Sequence, residues 1–120
     1  LGAARTNLGV VYYQQGSMAQ AATEFEAALK LNPNDAQSLY LLSAVRIQNG
    51  EYGEAEKLLN QAKAAAPKLA EVYYGLGALY KLQGKKAEAI AAFEKFISLG
   101  TAQDPTAMEQ AKKELEELKK

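Results

Sequence analysis

The chain has 120 residues, with 14 Lys and Arg against 14 Asp and Glu, three Pro, nine Gly, and no His, Cys or Trp. That length can bury a core without disulfides or metal, and the missing imidazole and thiol groups exclude His- or Cys-based zinc sites, iron–sulfur clusters, thiol nucleophiles and Ser-His triads. A net charge of zero argues against sequence-independent binding to nucleic acid or to an anionic membrane surface, and no apolar run reaches the ~20 residues of a bilayer span, so no direct membrane insertion is expected.

Motifs recur every 34 residues: Gly16, Gly50 and Gly84; Leu8, Leu42 and Leu76; Ala21, Ala55 and Ala89; Pro33 and Pro67. This periodicity divides the chain into units 2–35, 36–69 and 70–103, followed by a remainder, 104–120. In unit one the helical period covers Asn7 to Gln15, breaks at Gly16-Ser17 and resumes from Met18 to Leu31. Each unit is therefore predicted to be a helical hairpin, and the three together with the remainder to form one domain, 1–120.

The punctuation follows the same order. Gly16, Gly50 and Gly84 each end a first helix where a left-handed residue is needed. Asn32-Pro33-Asn34-Asp35 closes the second helix of unit one and offers Asp35 as a cap for the next, and Pro67 repeats the stop. Gly9, Ser43 and Gly77 on the first helices, with Ala21, Ala55 and Ala89 on the second, are small residues suited to close helix crossings. Leu8, Tyr12, Phe25, Leu42, Leu59, Leu76, Tyr80 and Phe93 are expected to fill the space around them.

Asp104-Pro105 reads as an N-cap followed by proline at the first helical position. Beyond it, Ala107, Met108, Ala111, Leu115 and Leu118 form one apolar stripe backed by Glu and Lys, the pattern of a helix that closes an array. The beginning has no such backing, because Val10, Val11, Tyr12 and Tyr13 follow Leu1 with Arg5 as the only charge. The expectation is therefore that the chain is a fragment of a longer array, or that another copy or segment packs on its first helix.

This pattern resembles the tetratricopeptide repeat. Unit one carries Leu8, Gly9, Tyr12, Ala21, Phe25, Ala28 and Pro33 at the family's signature positions; unit two carries Leu42, Ser43, Ala55, Leu59, Ala62 and Pro67; unit three carries Leu76, Gly77, Tyr80, Ala89 and Phe93. Arg5, Arg46, Phe96 and Thr101 depart from the usual aromatic, Tyr, Ala and Pro. The resemblance implies an all-α fold, a right-handed superhelical solenoid of three helix-turn-helix units with a C-terminal capping helix at 104–120. It also implies that the first helices line a concave groove.

Carried onto this sequence, the groove positions are Ala3, Thr6, Asn7, Val10, Tyr13 and Gln14 in unit one, and Gln37, Tyr40, Leu41, Ala44, Ile47 and Gln48 in unit two. In unit three they are Glu71, Tyr74, Gly75, Ala78, Lys81 and Leu82. Only Arg5, Arg46, Glu71 and Lys81 bring charge to the three first helices, which suits a mostly uncharged peptide or helical segment of a partner protein. The clamp by which some family members hold a chaperone's C-terminal carboxylate would fall on Thr6, Val10, Leu41, Glu71 and Gly75, and none of these matches its Lys, Asn and Arg.

Each groove residue also has a plainer reading. Tyr13, Tyr40 and Tyr74 serve equally well as packing aromatics with exposed hydroxyls, and Asn7 as a local hydrogen-bonding group. Glu24 and Glu26, or Glu54 and Glu56, lie two residues apart on a helix and face away from each other, so no acid–base pair is visible. Gly75-Leu76-Gly77 lacks the strand and third glycine of a phosphate loop, and the Lys85-Lys86, Lys112-Lys113 and Lys119-Lys120 doublets alternate with glutamates as solvated faces. The sequence thus predicts a non-catalytic interaction scaffold without cofactor or metal, not bound to nucleic acid. The alternative is a self-association module acting through the uncapped first helix.

Overall fold

The computed structural model of the protein describes residues 2–100 and 105–120. Seven α-helices run through them: α1 Gly2–Gln14, α2 Met18–Leu31, α3 Ala36–Gln48, α4 Tyr52–Ala65, α5 Ala70–Leu82, α6 Lys86–Leu99 and α7 Pro105–Leu118. Asp104 as a cap and Thr101 in place of a repeat proline lie outside the described residues. The chain forms two compact units, Leu1–Pro67 and Lys68–Lys120.

The glycine turns form as the spacing predicts. Gly16, Gly50 and Gly84 have φ of 79°, 77° and 74°, the left-handed region that glycine enters without a Cβ clash. Around Gly16 the Gly16 N–H donates to the Tyr13 carbonyl at 3.0 Å and the Ser17 N–H to the Tyr12 carbonyl at 2.8 Å. The same pair of bonds recurs at Gly50 to Ile47 with Glu51 to Arg46, and at Gly84 to Lys81 with Lys85 to Tyr80. This double closure satisfies the carbonyls that a helix end leaves open and reverses the chain within two residues.

In the unit Leu1–Pro67, Ala21, Ala22 and Phe25 of α2 meet Leu42 and Val45 of α3 in a buried cluster. Gly9 makes the α1–α2 crossing possible, since a Cβ there would lie 2.5 Å from the Phe25 ring. In the unit Lys68–Lys120, Gly77 stands in the same relation to Phe93, at 2.8 Å. Ala55, Leu59, Ala62, Leu76 and Ala89 are buried as expected.

Three expectations about the core need correction. Leu8 is 40% exposed although its repeat equivalent Leu42 is 4% exposed, because α2 covers Leu42 and no described helix covers Leu8 in that way. Tyr12 and Tyr80 are half-buried, and their rings sit at the margin of the core. Asp35 occupies the N-cap position of α3 without making a cap bond; its carboxylate instead accepts from the Ser38 hydroxyl at 2.7 Å.

The apolar stripe of α7 faces inward as predicted, with Ala111 fully buried and Ala107, Met108, Leu115 and Leu118 half-buried, and the helix packs on α6. Lys119 to Glu94, at 3.2 Å, adds an exposed ion pair between those two helices.

Candidate functional site

The first helices of the hairpins carry the residues expected to meet a partner, and each unit presents its own face. On α1, Asn7 is exposed while Val10 and Tyr13 are half-buried and pack against the Ala21–Phe25–Leu42 cluster. On α3, Gln37 is exposed, Tyr40, Ala44 and Ile47 are half-buried, and Leu41 packs on that same cluster. Val10, Tyr13 and Leu41 thus present one edge to solvent and the rest to the core. One flank of each of these side chains supports the core and the other is exposed.

Thr6 and Gly75 are corrections. Thr6 is buried, and its hydroxyl lies 2.8 Å from the Ser38 hydroxyl and donates to the Gly2 carbonyl at 3.0 Å. It ties α1 to α3 from inside and offers no surface. Gly75 is buried within α5.

Charge on these helices is further reduced by pairing. Arg5 meets Glu24 at 2.9 Å. Arg46, which stands where the family has a tyrosine, reaches Glu26 at 3.4 Å and Glu51 at 3.5 Å. Lys81 is paired with Glu114 of α7. These pairs are exposed or partly exposed, so each contributes little to stability, but they cancel most of the field along the first helices.

In the unit Lys68–Lys120, Tyr74, Ala78 and Lys81 come together with Leu82, Phe93 and Glu114 around a hollow of about 450 Å³. Tyr74 forms its wall: the ring packs edge-on against Phe93, with centroids 5.7 Å apart, and against Phe96 at 5.3 Å. Phe96, where the repeat usually has Ala, is buried by this contact. Glu71, one turn earlier on α5, is exposed and does not line the hollow.

Three residues of this unit escape sequence reading. Phe93 is recognisable as core but not as the floor of a hollow, and Glu114 reads as part of the polar back of α7. Tyr73 is buried beneath the Lys95 ammonium, 5.9 Å from the ring centroid, and carries no motif of its own. Nothing in local spacing announces the contact of Lys81 with a carboxylate 33 residues away.

No helix among the described residues is long and apolar enough to cross a membrane, and no group of three or more acidic residues among them is arranged to hold a metal ion.

The comparisons agree with this architecture. Models described as "Tetratricopeptide repeat" match residues 6–70 and 70–100. Human tetratricopeptide repeat protein 7B is 34% identical over 91 residues, which is 76% of this chain and 11% of that protein. The chain spans between 5 and 11% of the length of the curated relatives that it matches. Among solved structures, the first TPR of Spaghetti (RPAP3) bound to the HSP90 peptide SRMEEVD has a TM-score of 0.86 at 18% identity, covering 99% of this chain and 96% of that one. The type III secretion chaperone SycD of Yersinia enterocolitica, in complex with a peptide of the translocator YopD, has a TM-score of 0.84 at 23% identity and covers 96% of this chain and 89% of that one. With a family model spanning 65 residues, more than half its length, and the hairpin period repeated in its helices, this chain belongs to the tetratricopeptide repeat family.

Proposed function

We propose that the chain is a non-catalytic protein-interaction scaffold whose first-helix faces bind a mostly uncharged peptide or helical segment of a partner protein. The observation that carries this reading is the low effective charge of α1, α3 and α5, where Arg5, Arg46 and Lys81 are all engaged by glutamates beside half-buried Tyr13, Tyr40 and Tyr74. Such faces offer aromatic contact and amide hydrogen bonding without the cost of desolvating a charge. The RPAP3 and SycD structures each hold a peptide, which supports peptide binding as a class, while the acidic SRMEEVD differs from the uncharged segment proposed here.

An acidic chaperone tail suits these faces poorly. Of the positions that would grip one, Thr6 and Gly75 are buried, Val10 and Leu41 are aliphatic, and Glu71 carries the wrong charge. Panning a displayed peptide library against the chain, then titrating an enriched peptide beside SRMEEVD, tests the proposal. Enriched sequences should be poor in Asp and Glu and should bind at least about tenfold more tightly than SRMEEVD, a difference of ~1.4 kcal/mol. Equal or tighter binding of SRMEEVD overturns the uncharged-partner reading, and a library without specific binders overturns the scaffold.

Self-association has one observation in its favour. Leu8 and Val11 on α1 are 40% and 45% exposed, whereas Leu42 and Val45, one repeat later, are 4% and 0% exposed. Light scattering over a wide concentration range decides it: a rising mass that Leu8→Gln with Val11→Thr abolishes supports a homo-oligomer, and a constant monomer mass rejects it.

A further inference from the structure

We infer that the hollow between Tyr74, Ala78 and Leu82 on one side and α7 on the other is a side-chain pocket that takes one large, uncharged apolar residue of a partner segment. In this inference α7 is a wall of the binding surface as well as a cap. It rests on the scaffold reading above and adds to it the class of residue recognised and the place where it is held.

The lining has the composition of such a pocket. Phe93 forms an almost fully buried floor, the half-buried Tyr74 ring stands as a wall, and Ala78 is too short to fill the space between them. Leu82 stands at the rim and is 56% exposed, an apolar surface whose burial would be favourable. A volume of about 450 Å³ is within the ~300–1,000 Å³ range of sites that hold small organic groups.

Charge selects the occupant. Among the described residues Lys81 and Glu114 are the charged ones that line the hollow, and they are spent on each other. The second oxygen of Glu114 accepts from the Gln110 amide at 3.0 Å, so that carboxylate is committed on both sides. An acidic or basic side chain entering the hollow would find no uncommitted counter-ion, whereas Leu, Met or Phe would meet Tyr74, Leu82 and Phe93 without loss. The Lys81–Glu114 pair also connects the two walls, α5 and α7.

The full chain, labelled with ¹⁵N, can be titrated with N-acetyl-phenylalanine methylamide and separately with N-acetyl-glutamate methylamide while its amide shifts are followed. The phenylalanine probe should give saturable shifts at Ala78, Leu82 and Glu114, the glutamate probe should give none there, and Ala78→Phe, which fills the hollow, should weaken the phenylalanine response about tenfold or more. Ala78→Met serves the same purpose should Ala78→Phe melt early. Absence of shifts at these amides with the phenylalanine probe, or an equal response to the glutamate probe, overturns the pocket. Shifts confined to Tyr13, Tyr40 and Ile47 overturn it while leaving the scaffold standing; the scaffold itself falls only with the library selection described above.

Discussion

Gly77 leaves open the space that the Phe93 ring occupies: a Cβ at that position would stand 2.8 Å from the ring edge, closer than packed carbon atoms approach. Gly9 and Phe25 repeat the arrangement. Unit two instead holds Ser43 and Leu59 at the same two positions, both buried, so a small-residue side chain is matched with a smaller apolar partner. Gly77→Ala gains up to ~1 kcal/mol of helix propensity but incurs overpacking of roughly 1–3 kcal/mol, so a net loss of about 1 kcal/mol is expected in urea denaturation. Combining Gly77→Ser with Phe93→Leu should cost less than the sum of the two single changes, with a coupling of at least ~0.5 kcal/mol. Strict additivity would show that the two residues do not compete for the same space.

Thr6 and Ser38 link α1 to α3 through buried hydroxyls. Their two protons serve three contacts: Ser38 donates to Asp35, either hydroxyl can serve the 2.8 Å contact between them, and Thr6 donates its proton to the Gly2 carbonyl. Thr6→Val keeps the shape, removes that proton and should destabilise by about 1–2 kcal/mol, whereas Thr6→Ser should lose less. Equal melting temperatures for the valine variant and the parent chain would rule out this link as a source of stability.

Tyr74 both supports the core and lines the hollow, so Tyr74→Ala is expected to lower stability as well as binding. Loss of its edge-on contacts with Phe93 and Phe96 should cost about 1–3 kcal/mol, while Tyr74→Phe should retain most of the stability because the ring remains. Thermal melting of both variants checks the ordering.

Removal of residues 105–120 uncovers the side of α6 on which the apolar stripe of α7 packs. The truncated chain is expected to melt well below the full chain and to aggregate, because a repeat array needs a polar-backed end. Unchanged melting and a clean monomer peak by size-exclusion chromatography would show that α7 is dispensable for stability.

The hairpin period was legible because it depends on local chemistry. A glycine at each left-handed turn and a small residue opposite a large one recur at fixed spacing, and each is required wherever two antiparallel helices cross. The second helix of unit one is predicted and found at Met18 to Leu31, whereas the first, predicted from Asn7 to Gln15, spans Gly2–Gln14, because its opening turn carries no cap or apolar period to mark the start. Leu8 misled because the repeat pattern identifies a position without showing whether a neighbouring helix covers it.

What the sequence by itself determined is the helical class, the turns, and the nearly neutral first helices, all consequences of residue type and period. Tertiary structure alone decided that Thr6 turns inward to Ser38, that Tyr74 packs edge-on against Phe96, and that Lys81 meets Glu114. These are contacts between residues 22 to 33 positions apart, where side-chain reach and packing, which leave no mark on local spacing, choose the partner.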